Sequence, residues 1–187
     1  MMRADIKMYR WTWLGEPTGV DDLIYYMFSA EKHIYQPEDY IEEEKRSIGE
    51  IGIGVDYGQQ NATVYEAFGI DYQNQVLRGI DEYYYSGRES GTQKSPSEYA
   101  QDMKTFCDKI EKEYDRVVSY IFVDPSAAGL IEEIRRVIPH IPVIPAQNDV
   151  KLGISRVQKL LSFGRMIVSE KQKMLIKEFG LYQYNTD

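Results

Sequence analysis

A short run of alternating apolar and glycine residues that ends on a carboxylate constrains this chain most. The run is IGIGVDYG at residues 51–58, and the β-rich residues 62–70 follow it after a tight turn. The alternation predicts a buried strand that delivers Asp56 to its end, after which the chain folds back as a hairpin. A carboxylate in this position is a common way to seat a metal ion or a phosphate.

Composition narrows the class of protein. The 187 residues, 43% hydrophobic and 28% charged, are typical of one globular domain with a core of its own. The net charge of −8 repels nucleic acid on average, so a DNA site requires a local basic patch or bridging metal ions. Cys107 is the single cysteine, which excludes an intramolecular disulfide. No apolar run approaches the roughly 20 residues of a membrane span, and the N-terminal residues lack the apolar core of a signal peptide, so we expect a cytoplasmic protein.

The order of predicted elements indicates the fold. Residues 51–57, 62–70 and 75–85 predict three strands of an antiparallel meander. Ser95, Pro96 and Glu98 form a capping box that starts a helix ending near Asp115. The elements that follow are a strand ending at Asp124, a helix, a short strand over 141–145, a helix over 151–164, a brief extended piece at 165–168, and a final helix capped by Ser169.

This order predicts an α/β domain with a ribonuclease H-like mixed five-stranded sheet flanked by helices. Actin-like ATPase domains share the same order, so the fold alone does not decide the function. Residues 1–48 lack a sustained period and are interpreted as a linker or extension, and residues 49–187 as the folded domain. His33 and His140 are both expected at the surface, where neither is placed to act as a base.

Asp56 and Asp124 each end an apolar strand, and in the predicted fold these two strands lie side by side. The two carboxylates would repel each other, and a divalent cation would relieve that repulsion. Hard oxygen ligands suit Mg²⁺ or Mn²⁺, and a pair of such ions can activate water for phosphodiester hydrolysis. Both residues are therefore predicted as catalytic metal ligands, although an Asp at a strand end also commonly caps the next turn.

Several basic residues are candidates for contact with DNA phosphates. Between residues 151 and 177 seven basic residues accompany a single acidic one, Glu170, which gives this stretch a net charge of +6. Such a polarised distribution is typical of a nucleic-acid face, although solvated helix faces look the same. The residues predicted to bind DNA are Lys151, Arg156, Lys159, and, from the loop 86–94, Arg88 and Lys94.

Longer stretches carry a family resemblance. GVDYGQQNATVYEAFGI, FVDPSAAGLIEEIRR, AQNDVKLGISRVQKLLSFGRMIV and KEFGLYQY occur in this order, and WTWLGEPTGVDDLIYYMFSAEKHIY precedes them. In this order the chain resembles the C-terminal nuclease domain of tailed-bacteriophage large terminase subunits, of the type found in Gram-positive phages and prophages. The upstream stretch resembles the linker that follows the ATPase domain in that family.

The resemblance implies a ribonuclease H-like, metal-dependent endonuclease that cuts concatemeric viral double-stranded DNA during genome packaging. The family's first two acidic ligands fall on Asp56 and Asp124. Its third follows the tyrosine-containing segment, so we expect that ligand beyond Asp187 and interpret the chain as a C-terminally truncated form. No GxxxxGK[ST] phosphate loop is present, so the ATPase motor is absent. A terminase small subunit and a portal protein are the implied partners.

Three alternatives stay open on the sequence. A catalytically incomplete remnant could bind DNA or packaging partners without cutting. Another ribonuclease H-like nuclease, such as a junction resolvase, could share the paired aspartates. An actin-like nucleotide-binding fragment could place a glycine-flanked Asp in a phosphate loop, but that class needs two such domains.

Overall fold

The computed structural model describes residues 23–37, 45–58 and 61–183. Within them the chain forms one mixed sheet of seven strands in the order β1-β7-β4-β3-β2-β5-β6. The strands are β1 (Ile34–Tyr35), β2 (Ile48–Asp56), β3 (Ala62–Asp71), β4 (Val76–Ser86), β5 (Tyr120–Val123), β6 (Val143–Pro145) and β7 (Met166–Ser169).

The predicted meander and the predicted α/β class are confirmed. Strands β2, β3 and β4 pair antiparallel, and β5 and β6 add to β2 in parallel. These five strands are the expected mixed sheet. Two short strands extend it beyond β4, because residues 166–169 pair parallel to β4 and β1 pairs parallel to β7.

Helices cover both faces of the sheet. Those of the described residues are α1 (Ala30–His33), α2 (Gly87–Ser90), α3 (Pro96–Tyr114), α4 (Ala128–Val137), α5 (Val150–Ser162) and α6 (Lys173–Phe179). Helix α3 begins as predicted, since the Ser95 hydroxyl accepts from the Glu98 amide and the Glu98 carboxylate accepts from the Ser95 amide. No helix in the described part of the chain is long and apolar enough to cross a lipid bilayer.

The larger hydrophobic core lies between the sheet and the helices α3 and α4. Tyr65 and Ile121 reach it from the sheet, and Met103 and Leu130 reach it from the two helices. Cys107 is buried in the same core, and this burial raises the pKa of its thiol to about 12. Cys107 therefore fills the core and is not placed to act as a nucleophile.

A second core lies on the other face of the sheet, under α5 and α6. Phe28 packs there against Phe179, with ring centroids 4.7 Å apart. His33 joins it at 3% exposure and donates from Nε2 to the Leu161 carbonyl at 3.0 Å. The expected surface position of His33 is therefore wrong: its ring is held by a buried hydrogen bond and stacks on Phe28. His140 is exposed as predicted.

The start of α6 also differs from the prediction. Ser169 does not cap the helix but ends β7, because its amide pairs with the Gln172 side chain. Glu82 from β4 takes the capping role instead and accepts from the amides of Met174 and Leu175, each at 2.9 Å. A carboxylate from a distant strand therefore satisfies the first turn of α6.

Glu82 faces Glu66 across the β3–β4 ladder. Gln172 donates to the Glu66 carboxyl group at 2.9 Å. Burial, and then the charge of Glu82, raise the pKa of Glu66 to about 9. A proton on Glu66 is therefore favoured, and the protonated group can donate to the Glu82 carboxylate that caps α6.

Candidate metal centre

The ends of two adjacent parallel strands bring Asp56 and Asp124 together. Val55 and Val123 are partners in the register of β2 and β5, and the aspartates are the next residue on each strand. Neighbouring strands lie about 4.8 Å apart, so both carboxylates leave the same edge of the sheet as neighbours. The juxtaposition expected from the sequence is present.

The surroundings of Asp124 orient its carboxylate. One oxygen accepts from the Ser126 amide at 2.7 Å, and the other accepts from the Asn148 side-chain amide at 2.7 Å. The first bond closes the turn between β5 and α4, as the capping interpretation of this residue required. Each carboxylate oxygen has a further lone pair available, so this role in the turn leaves coordination sites open.

The two carboxyl groups differ in their electrostatics. Hydrogen bonds from Ser126, and then from Asn148, hold the pKa of Asp124 below its usual range. Asp56 is exposed at the sheet edge, but desolvation by the surrounding protein atoms, and then the charge of Asp124, raise the pKa of its carboxyl group. The pair is ionised at neutral pH only at the expense of mutual repulsion, and a cation between the two would remove that repulsion.

The donor set fits a hard divalent cation. It consists of carboxylate oxygens at an accessible edge, the ligands that Mg²⁺ and Mn²⁺ prefer, and it lacks the thiolate or imidazole groups that favour softer metals. Within residues 23–37, 45–58 and 61–183 no cluster of three or more His, Cys, Asp or Glu side chains has the arrangement of a metal site. Among the described residues, the candidate metal ligands are therefore the two carboxylates of Asp56 and Asp124.

Asn148 was missed by the sequence interpretation. It follows the short strand β6, which pairs with β5 and brings the residue within reach of Asp124. Its position directly before the helix-capping Asp149 was the only local signal. Asp149 itself only caps α5, accepting from the Leu152 amide at 3.0 Å.

The predicted DNA contacts fall into two regions. Lys151 lies in the first turn of α5, three residues after the Asn148 that bonds Asp124. Arg156 and Lys159 lie further along the same helix, and all three basic residues are exposed. Arg88 is exposed on α2, beyond the end of β4. Lys94 is half-buried and already engaged: it forms an ion pair with Asp102 at 2.6 Å.

The fold and the paired strand-end carboxylates place the chain in a structural class, the ribonuclease H-like α/β fold of terminase nucleases. No protein-family model matches the chain, and no curated protein matches it in sequence. Solved structures do match, and among them are large terminases and terminase nuclease domains.

The large terminase of a thermophilic bacteriophage, in complex with ADP, superposes with a TM-score of 0.76 and 28% identity. That match covers 100% of this chain and 45% of the other, so this chain spans less than half of that protein. The P22 large terminase nuclease domain has a TM-score of 0.64 and 14% identity, covering 86% of this chain and 79% of that domain. The nuclease domain of the bacteriophage SPP1 large terminase, with bound Mn, has a TM-score of 0.54 and 18% identity, covering 82% and 80%.

Proposed function

We propose that this chain is the nuclease domain of a phage large terminase and hydrolyses phosphodiester bonds of double-stranded DNA with Mg²⁺ or Mn²⁺. The observation that carries the proposal is the pair Asp56 and Asp124 at the ends of adjacent parallel strands, in a fold whose structural neighbours are terminase nucleases. The bound Mn of the SPP1 domain supports a divalent cation here.

Asp56 and Asp124 would hold the cation, which supplies charge stabilisation and an activated water when bound. Asn148 and the Ser126 amide keep the Asp124 carboxylate ionised and fixed in orientation. Lys151, in the first turn of α5 and three residues after Asn148, would contact a DNA phosphate. Arg156, Lys159, Arg88 and Lys94 complete the proposed DNA contacts, with Lys94 having first to leave Asp102.

In this proposal the domain acts on viral DNA in the cytoplasm of a bacterial host during packaging. The terminase small subunit and the portal protein are the proposed protein partners. The Gram-positive phage type and the domain boundary near residue 48 stay predictions. Residues 23–37 pack into the second core, which is what a linker segment lying on the nuclease surface would do.

Plasmid cleavage in Mg²⁺ or Mn²⁺ tests the proposal. We expect Asp56→Asn and Asp124→Asn to lose at least about 100-fold in rate, since each removes a direct ligand. Asp108→Asn is the matched control, because Asp108 is an exposed aspartate of α3 paired with Lys104. Calorimetry with Mn²⁺ should show the same ranking in metal affinity. Wild-type cleavage by both site variants would overturn the assignment.

A second candidate is a module that binds DNA or packaging partners without cutting it. This candidate is favoured because the described residues bring only two carboxylates, Asp56 and Asp124, to the proposed metal centre, and no third acidic side chain joins them. DNA binding by the wild-type chain, together with cleavage no faster than that of the Asp56→Asn variant, would select this candidate.

A further inference from the structure

An open pocket of about 640 Å³ lies at the end of α5 opposite to the carboxylates. Its lining combines cationic and apolar side chains, namely Arg156, Lys159, Leu160, Phe163 and Arg165. Phe163 is 68% exposed, which is unusual for so large an apolar side chain. The pocket is thus separate from the proposed metal centre and differs from it in charge.

Helical periodicity and one glycine build this pocket. Arg156, Lys159, Leu160 and Phe163 follow the spacing i, i+3, i+4, i+7 and share one helical face. Gly164 then turns the chain with a φ of +63°, in the left-handed region that favours glycine. The turn returns the Arg165 amide to the Leu160 carbonyl at 2.8 Å, which places Arg165 beside the same face.

Among the residues that the structure describes, the cations of the pocket have no carboxylate partner. Several cations elsewhere in this acidic chain form ion pairs, as Lys94 does with Asp102 and Lys171 does with Glu113. No acidic side chain of the described residues lies within ion-pair distance of those in the pocket. Arg165 is instead steadied by a neutral group, donating to the Gln75 side chain at 2.9 Å. Within the described part of the chain, three neighbouring positive charges are therefore available to bind an external anion.

The exposed ring identifies the kind of anion. A duplex presents phosphates but keeps its bases stacked, so it could use the three cations but not Phe163. A single strand presents both, because phosphates track a basic groove while unstacked bases lie on aromatic rings. Free inorganic anions would likewise leave the ring unused.

We propose that this pocket binds single-stranded DNA, with the phosphates on Arg156, Lys159 and Arg165 and a base stacked on Phe163. Helix α5 has 13 residues and is therefore about 20 Å long. The pocket lies along its second half, whereas Asn148, which donates to Asp124, precedes its first residue. This proposal rests on the proposed function, because the nuclease assignment is the reason for expecting DNA as the ligand. It implies that the domain binds an unpaired strand next to the proposed cleavage centre.

Binding can be measured without cleavage, which separates the two proposals. Fluorescence anisotropy with a labelled oligonucleotide of about 12 nucleotides, as single strand and as duplex, is performed on the Asp56→Asn variant in EDTA. We expect the single strand to bind more tightly than the duplex. Phe163→Ala should weaken single-strand binding by about 5- to 150-fold and leave duplex binding nearly unchanged. Phe163→Tyr, which keeps the ring, should restore it.

Charge variants test the phosphate contacts. Arg156→Gln should weaken single-strand binding and reduce the slope of log affinity against log salt by about 0.7, one phosphate contact. Lys177→Gln and Tyr26→Ala are the matched controls, because both residues are exposed and lie outside the pocket, and neither should change binding. Unfolding midpoints establish that the variants are folded. Equal binding of Phe163→Ala and the parent, or binding of duplex alone, would overturn the proposal even if the metal centre cuts DNA as proposed.

Discussion

Asn148 donates its side-chain amide to the Asp124 carboxylate at 2.7 Å and so ties the loop after β6 to the proposed metal centre. The asparagine amide does not transfer its proton to the carboxylate, so the bond orients Asp124 without neutralising it. This relation gives Asn148 a positioning role that can be separated from the role of a metal ligand.

We expect Asn148→Ala to lower Mn²⁺ affinity and plasmid cleavage by about 10- to 100-fold, the usual effect of losing a hydrogen bond that orients a metal ligand. Asn74→Ala is a matched control, because Asn74 makes a similar 2.9 Å bond to Asp71 in the β3–β4 turn. Calorimetry and cleavage kinetics measure both variants. A loss of cleavage with unchanged Mn²⁺ affinity would contradict the positioning role.

Glycines lie two residues before and two residues after Asp56, and only the second, Gly58, is required by the space around it. A Cβ at Gly58 would stand 2.5 Å from the Ala62 carbonyl oxygen, whereas a Cβ at Gly54 would meet nothing within 4 Å. Gly58→Ala should therefore lower the free energy of unfolding by about 1–3 kcal/mol, because the hairpin backbone must move. Gly54→Ala should leave it within about 1 kcal/mol of wild type. Urea denaturation compares the two, and equal stabilities would contradict the steric argument.

The half-buried pair Glu66 and Glu82 predicts a dependence of stability on pH. The pKa of Glu66 is raised to about 9 in the folded protein from the ordinary value of 4.5. The folded state therefore binds more protons than the unfolded state between these values, and stability falls as pH rises through that window. Urea denaturation at pH 6 and pH 8 should show the wild type less stable at the higher pH.

Replacing the proton by an amide should remove this effect. Glu66→Gln keeps the shape of the side chain and can donate to Glu82 at any pH, so its stability should change less between pH 6 and pH 8. Glu132→Gln, an exposed change on α4, serves as the control and should follow the wild type. If the stability of the Glu66→Gln variant changes with pH as much as that of the wild type, other groups cause the pH dependence.

Lys94 and Arg88 were both predicted to bind DNA, but the structure places them in different environments. Lys94 pairs with Asp102 at 2.6 Å and lies 4.2 Å from the centroid of the Tyr85 ring, while Arg88 is exposed on α2. We expect Lys94→Met to lower the free energy of unfolding by about 1 kcal/mol. Arg88→Met should leave stability unchanged and weaken duplex binding in low salt. The reverse pattern in thermal melts and binding isotherms would contradict this division.

Signals that are local in the chain predicted most of the fold. The capping box at Ser95 located the start of α3, and the alternation through residues 51–56 located β2 and the carboxylate at its end. Asp124 was predicted by the same logic, and register Val55–Val123 places the two together. The juxtaposition of Asp56 and Asp124 was predictable because the order of elements along the chain implies that β2 and β5 are adjacent parallel strands.

Relations between distant residues could not be predicted in the same way. Strand β1 has two residues, too few to show any period, and exists because β7 offers it an edge. The cap of α6 comes from Glu82 on β4, so the helix carries no capping signal of its own. His33 was misplaced for the same reason, since its partner is the carbonyl of Leu161.

The second core has a consequence for the order in which the protein assembles. The bond from His33 to Leu161 spans 128 residues of chain, and β1 pairs with a strand almost at the end of the described chain. During synthesis on the ribosome, the meander, α3 and α4 can therefore fold first. At that stage Phe28 and His33 still lack their partners Phe179 and Leu161. Closing so long a loop is entropically slow. The β1–β7 edge should be the last part of the sheet to gain protection from hydrogen exchange and the first to lose it.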